Sequence, residues 1–200
     1  RLAVTRPPAS HDSSRIRMRL LPLAALVALA LAPAAAGAQA TTVVLVRHAE
    51  KAPAPANDPT LSDAGQARAA ALADALADAG VQAVIVTPLQ RTRLTAAPLV
   101  EKRGLTPRTV AISPTHVADV ARAVRERKGQ TVLVVGHSNT IPAIVGALGG
   151  PKLPDLCDAQ YEQLFTLVTP EQGTPSLVRA QYGAPDAPTA GDCARTMRQE

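Results

Sequence analysis

The chain has 200 residues and a formal net charge of +5, but five of its 21 Lys/Arg and one of its 16 Asp/Glu fall in the first forty residues, so the remainder balances at 16 to 15. With no Trp, one Phe and two Tyr, it lacks both the basic footprint and the aromatic platforms that nucleic acid needs, and a nucleic-acid partner is excluded. What remains after the leader, about 160 residues rich in Ala, Val and Leu, suffices for one domain with its own core.

Residues 1–40 read as export machinery and not as fold. Met18-Arg19 begins a basic region, Leu20 to Leu31 is apolar, and Ala38-Gln39-Ala40 is a small-x-small cleavage site. The apolar run is too short for a membrane anchor and has Pro22 and Pro33 at its ends, so a cleaved signal with no later membrane span is expected. Residues 1–17 read as an over-extended start. The mature domain, 41–200, is expected to be periplasmic or secreted.

From Thr42 the elements alternate. Thr42 to Val46 reads as a strand, and Lys51 to Thr60, with Pro53, Pro55 and Pro59, as a loop over the sheet. Ser62 caps a helix predicted to run to Ala79 and stop at Gly80. Val81 to Val86 is a strand, and Pro88 opens a helix that ends at Arg103 before Gly104. Arg108 to Ile112 is predicted as a strand, His116 to Lys128 as a helix, Thr131 to Val135 as a strand and Asn139 to Leu148 as a helix. Gln163 to Thr169 and Ser176 to Tyr182 alternate as strands; 183–200 have no periodicity. The fold class is α/β, a three-layer α/β/α sandwich with a mostly parallel sheet.

Two histidines follow strands directly: Val43-Val44-Leu45-Val46 leads into Arg47-His48-Ala49-Glu50, and Val132-Leu133-Val134-Val135 into Gly136-His137-Ser138-Asn139. Both then stand at the carboxyl edge of the sheet, where ligands bind. Arg91, after the third apolar run, joins Arg47 to make that edge cationic. A phosphoryl group requires fixed donors around its oxygens, which guanidinium supplies, and a nucleophile in line, which neutral imidazole supplies. Arg47 and Arg91 are the candidate donors and His48 the candidate nucleophile. His137 is a further donor, with Ser138 and Asn139 contributing backbone amides at a helix start and Glu50 a further substrate-binding candidate.

These segments resemble the histidine phosphatase superfamily, also called phosphoglycerate-mutase-like. Arg47-His48-Ala49-Glu50 resembles its Arg-His-Gly-Glu signature, Leu61-Ser62-Asp63-Ala64-Gly65 its Leu-Thr-x-x-Gly, Thr87-Pro88-Leu89-Gln90-Arg91-Thr92 with Thr95-Ala96 its second arginine segment, and Gly136-His137-Ser138-Asn139 its Gly-His motif. The resemblance covers about residues 43–182. It implies a phosphomonoester phosphatase working through phosphohistidine on His48, with Arg47, Arg91 and His137 holding the phosphoryl group, acting on a phosphorylated small molecule or phosphoprotein, without metal or cofactor. Ala49 departs from the family's Gly, which matters only where that position needs positive φ. The segment between Arg91 and His137 is short, so the general acid that larger members place there is unassigned, with Glu50, Asp63 and His116 as candidates.

Other readings are weaker. Zinc on His48, Glu50 and His137 would sit beside two guanidinium groups. A serine-hydrolase elbow at Ser138 lacks both the final Gly and any His downstream. A mutase has little chain with which to hold a bisphosphate. A catalytically inactive member binding a phosphorylated envelope component is the alternative of a different class. Cys157 and Cys193, the chain's two cysteines, are expected to form a disulfide after export, stabilising by about 4 kcal/mol in the chain-entropy model.

Overall fold

The computed structural model describes residues 40–187. The expected leader and Cys193 lie outside these residues.

β1 (Thr41–Arg47) is a run of β-branched residues buried from Val43 onward. It lies inside a six-stranded sheet of order β3-β2-β4-β1-β5-β6, with β2 (Val81–Val86), β3 (Arg108–Thr109), β4 (Thr131–Gly136), β5 (Gln163–Thr169) and β6 (Ser176–Gln181). β3-β2, β2-β4 and β4-β1 pair parallel, whereas β1-β5 and β5-β6 pair antiparallel. β5 alone therefore opposes the other strands, and "mostly parallel" holds for the sheet with this one exception.

The helices are α1 (Asp63–Ala75), α2 (Gln90–Arg103), α3 (His116–Arg125) and α4 (Thr140–Ala147). Alternation along the strands divides the core between two faces. Val44, Val46, Val84, Val86, Leu133 and Val135 pack with Leu72 and Ala73 of α1 and Ala96 and Leu99 of α2. Val43, Leu45, Ile85, Val132 and Val134 pack with Val120 and Val124 of α3 and Ile141 and Ile144 of α4. The three layers follow from chain direction: β1 to β2 to β3 travels one way along the sheet and β3 to β4 to β5 returns. Right-handed crossovers then place α1 and α2 on one face and α3 on the other, where α4 packs beside it. The connections leaving β1 and β4 depart to opposite sides, so the gap between these neighbouring strands is the switch point, where α/β sheets bind ligands.

Several predicted ends move inward. α1 stops at Ala75 instead of Ala79 because the last residues tighten into bonds three residues apart, Ala77 N to Asp74 O and Ala79 N to Leu76 O, before Gly80 takes φ 64°. α3 ends at Arg125 instead of Lys128 in the same way, through Arg127 N to Val124 O and Gly129 at φ 72°. β3 keeps only two of five predicted residues, because its partner β2 ends at Val86; the Val110 N to Val86 O bond is its last. α2 begins at Gln90, two residues after Pro88. Its first amide is capped from a distance, Gln90 N donating to Asp58 Oδ1 at 2.9 Å. α4 and β6 fall within one residue of prediction at each end.

Candidate active site

Register brings the two histidines together. In the parallel β1-β4 pair Arg47 stands opposite Gly136, and His48 N donates to Gly136 O at 2.9 Å. The next residues, His48 and His137, must then be neighbours at the switch point; their ring centroids are 5.4 Å apart in an edge-to-face arrangement.

His48 is buried, and its Nδ1 lies 2.8 Å from Ala49 O. A carbonyl can only accept, so Nδ1 carries the proton and Nε2 presents the lone pair. Burial holds the ring's pKa down to about 3, against the Ala49 bond and together with Arg47, His137 and Arg91. His137 is lowered to about 4, by burial first and then by Arg91, His116 and Arg47. Both imidazoles are neutral at physiological pH.

Arg47 is 3% exposed, and one corner of its guanidinium is anchored. Nη1 donates to the carbonyls of Cys157, Asp158 and Gln160 at 2.8, 2.9 and 3.0 Å, and the group lies 4.1 Å from the Tyr161 ring centre. This leaves the Nε–Nη2 edge as its presenting side, with only long contacts from Nη2 to Asp158 Oδ1 at 3.5 Å and Tyr161 Oη at 3.4 Å. Arg91 occupies the first turn of α2. Burial and Arg47 push its guanidinium down while Asp58 opposes them. Arg47 Nε, Arg91 Nε and His137 Nε2 are all buried without a hydrogen-bond partner. Buried polar atoms of this kind are normally satisfied, and Arg47 disfavouring the charge on Arg91 marks a place for an anion.

The supporting contacts explain the motif residues. Thr95 Oγ1 accepts from Ala49 N at 2.8 Å and donates to Arg91 O at 2.7 Å, bolting α2 to the segment after His48. His137 N donates to Thr140 Oγ1 at 2.9 Å at the start of α4. Ser62 caps α1 by accepting from Gly65 N at 3.2 Å, while Ser62 N donates to Glu50 O at 3.0 Å. Gly65 is required by closeness: a Cβ there would lie 2.2 Å from Glu50 O. Ala49 needs no glycine, since no non-glycine residue among those described has positive φ; it is fully buried against Leu61 and Ala69.

The other sequence candidates are placed differently. The Glu50 carboxylate is held in an ion pair. Arg68 Nε and Nη2 donate to it at 2.8 to 3.0 Å. Asp63 is exposed in the first turn of α1. Ser138 is half-buried, its carbonyl accepting from Leu156 N at 3.0 Å, and Asn139 is exposed with no side-chain cap bond. His116 is buried, with Nδ1 2.8 Å from Ala111 O. Among the described residues no group of three His, Cys, Asp or Glu side chains is arranged to hold a metal ion.

Sequence reading missed Arg68, Tyr161, Asp58 and Asp186. Arg68 is buried and also donates Nη1 to Tyr182 O at 2.9 Å, with Asp186 3.8 Å away. Asp186 in turn accepts from Tyr161 N at 2.8 Å and Glu162 N at 3.1 Å. The signal for Arg68 was its place one turn before Leu72 and one residue before Ala69, on the buried face of α1.

Residues 43–112 match the model of the histidine phosphatase superfamily, branch 1. An uncharacterised protein of Mycobacterium tuberculosis, Rv0525, is 56% identical over 45 residues, and the match spans 22% of this chain and 22% of that protein. Among solved structures, one from Agrobacterium tumefaciens named for the phosphohistidine phosphatase SixA is 26% identical with a TM-score of 0.54, over 72% of this chain and 98% of that one. The protein histidine phosphatase SixA complexed with tungstate is 18% identical with a TM-score of 0.56, over 70% and 96%. The mycobacterial glucosyl-3-phosphoglycerate phosphatase Rv2419c is 19% identical with a TM-score of 0.55, over 74% and 100%. These last two likenesses are of fold.

Proposed function

Since the chain belongs to the histidine phosphatase superfamily, we propose that it is an exported phosphatase hydrolysing a phosphomonoester through a phosphohistidine intermediate on His48. One observation supports this reading: the His48 and His137 rings meet edge to face at the switch point, and Arg47 and Arg91, each with an unpartnered buried Nε, both act electrostatically on His48. The anchored Arg47 offers the phosphoryl oxygens its free edge, Arg91 and His137 take the others, and the amides of Ser138 and Asn139 add anion affinity at the start of α4. His48 Nε2 attacks phosphorus in line with the leaving oxygen, and water then attacks the phosphohistidine. Burial supports the nucleophile by keeping the imidazole neutral.

Substrates of either kind, a phosphorylated small molecule or a phosphoprotein, fit a site with so short a segment between Arg91 and His137. A periplasmic or secreted location and a Cys157–Cys193 disulfide belong to the same reading, on the strength of the leader sequence.

The test is release of phosphate from p-nitrophenyl phosphate by the wild type and by His48→Ala. The variant should lose turnover by on the order of 10⁴-fold or more, and acid-quenched wild type should carry acid-labile phosphate on histidine. Undiminished turnover by the variant overturns the proposal.

A further inference from the structure

Resting on that phosphatase reading, we propose that His116 is the proton donor to the departing oxygen, the general acid that none of the four motifs supplies. Of the three candidates, Glu50 is engaged through both carboxylate oxygens by Arg68, and Asp63 is exposed on α1. His116 differs from both. It opens α3, in the connection that leaves the carboxyl end of β3, and so belongs to the same sheet edge as His48, Arg91 and His137. It is 4% exposed, a burial unusual for a polar residue that begins a helix.

Its ring is also oriented. Nδ1 lies 2.8 Å from Ala111 O, which fixes a proton on that nitrogen and leaves Nε2 as the ring's other nitrogen. An imidazole held through one nitrogen by a backbone carbonyl, with the other available, is how a proton-transfer residue is positioned. His116 also contributes, after burial and Arg91, to lowering the basicity of His137, in keeping with its place on the same edge of the sheet.

The step balances. As the His48 Nε2–P bond forms, the bond from phosphorus to the leaving oxygen breaks, its electron pair stays on that oxygen, and the oxygen takes the Nε2 proton of the His116 imidazolium. In the second half, neutral His116 Nε2 takes a proton from water as the water oxygen bonds to phosphorus. The N–P bond breaks, its pair returns to His48, phosphate departs, and His116 is again protonated.

The experiment uses His116→Asn, whose side-chain amide can still donate to Ala111 O but has no counterpart to Nε2. Two substrates are compared in the full chain: p-nitrophenyl phosphate, whose leaving group departs without a proton, and glycerol phosphate, whose alkoxide needs one. Measured as kcat/KM, which reports departure of the leaving group and not the shared hydrolysis step, the alkyl ester should fall by about a hundredfold, and the aryl ester at least about tenfold less. Equal losses on both substrates would assign His116 a structural role and overturn the proposal, as would unchanged hydrolysis of the alkyl ester. Failure of the phosphatase reading registers separately, in the response of p-nitrophenyl phosphate turnover to His48→Ala.

Discussion

Lowering the pH from 8 to 5 should weaken this fold through His48 in particular. The imidazole has an ordinary pKa of 6.5 in the unfolded chain and about 3 when folded. Between those values the unfolded chain binds a proton that the folded one refuses, so stability is full above pH 6.5 and is lost as pH falls toward 3. At pH 5 the unfolded imidazole is almost fully protonated and the folded one is not, which lowers the unfolding free energy by about 2 kcal/mol relative to pH 8. His137, lowered to about 4, acts in the same direction over the window from 6.5 down to 4. Over pH 8 to 5 its share is nearly as large, since both folded values lie below 5, and the two separate only in more acid solution. Against a total stability of about 5–15 kcal/mol, the His48 effect alone is measurable.

The assay is urea unfolding at pH 8 and pH 5 of the wild type and of His48→Asn, which keeps a donor for Ala49 O and removes the titrating nitrogen. The difference between the two pH values should shrink by about 2 kcal/mol in the variant. Equal differences in the two proteins would mean that His48 is not held neutral by burial, and the basis for its nucleophilicity would fail. The same reasoning predicts no loss of aryl phosphatase activity near pH 6.5 that is traceable to the nucleophile.

Two further substitutions test the scaffold. Gly65→Ala puts a methyl group 2.2 Å from Glu50 O, a backbone atom that cannot swing away. Unfolding free energy should drop by about 1–3 kcal/mol, and unchanged stability would show that the approach is not needed. Arg68→Met removes the donors to Glu50 and to Tyr182 O and should cost about 3–5 kcal/mol, because it leaves the carboxylate partly buried and unpaired. Adding Glu50→Gln to that variant should recover part of the loss, and strict additivity in the cycle would show that the pair is not coupled.

The strands and the two histidines were legible because they depend on short-range order. A β-branched run of four or five residues that ends in a polar one gives both the strand and its edge, and parallel pairing of two such runs makes their ends coincide. His48 and His137 needed no knowledge of the 88 residues between them beyond that rule. Helix ends were less legible, since a final turn of tighter bonds and an α-helical turn leave the same sequence pattern before a glycine. The shortness of β3 depended on where β2 stops, which belongs to a different segment of the chain.

What could not be read is the set of polar contacts that aims the site, and the reason is separation in sequence. Arg47 is oriented by carbonyls 110 to 113 residues away, and any residue type offers a carbonyl, so no side-chain pattern announces the cage. Arg68 joins Glu50, 18 residues before it, to Tyr182, 114 residues after it. By amphipathic position it belonged with Leu72 in the core, and by charge with the solvent. A charged residue on an apolar face resolves that conflict only when its partners arrive by folding, and they do: Glu50 from the segment after His48, and Tyr182 and Asp186 from beyond β6. Asp186 also accepts the amides of Tyr161 and Glu162, and the Tyr161 ring lies against Arg47. The ion pair on α1 is thereby connected, through contacts between four segments, to the Arg47 guanidinium at the switch point. Disruption at Arg68 should therefore appear at the catalytic edge of the sheet as well as in the unfolding curve.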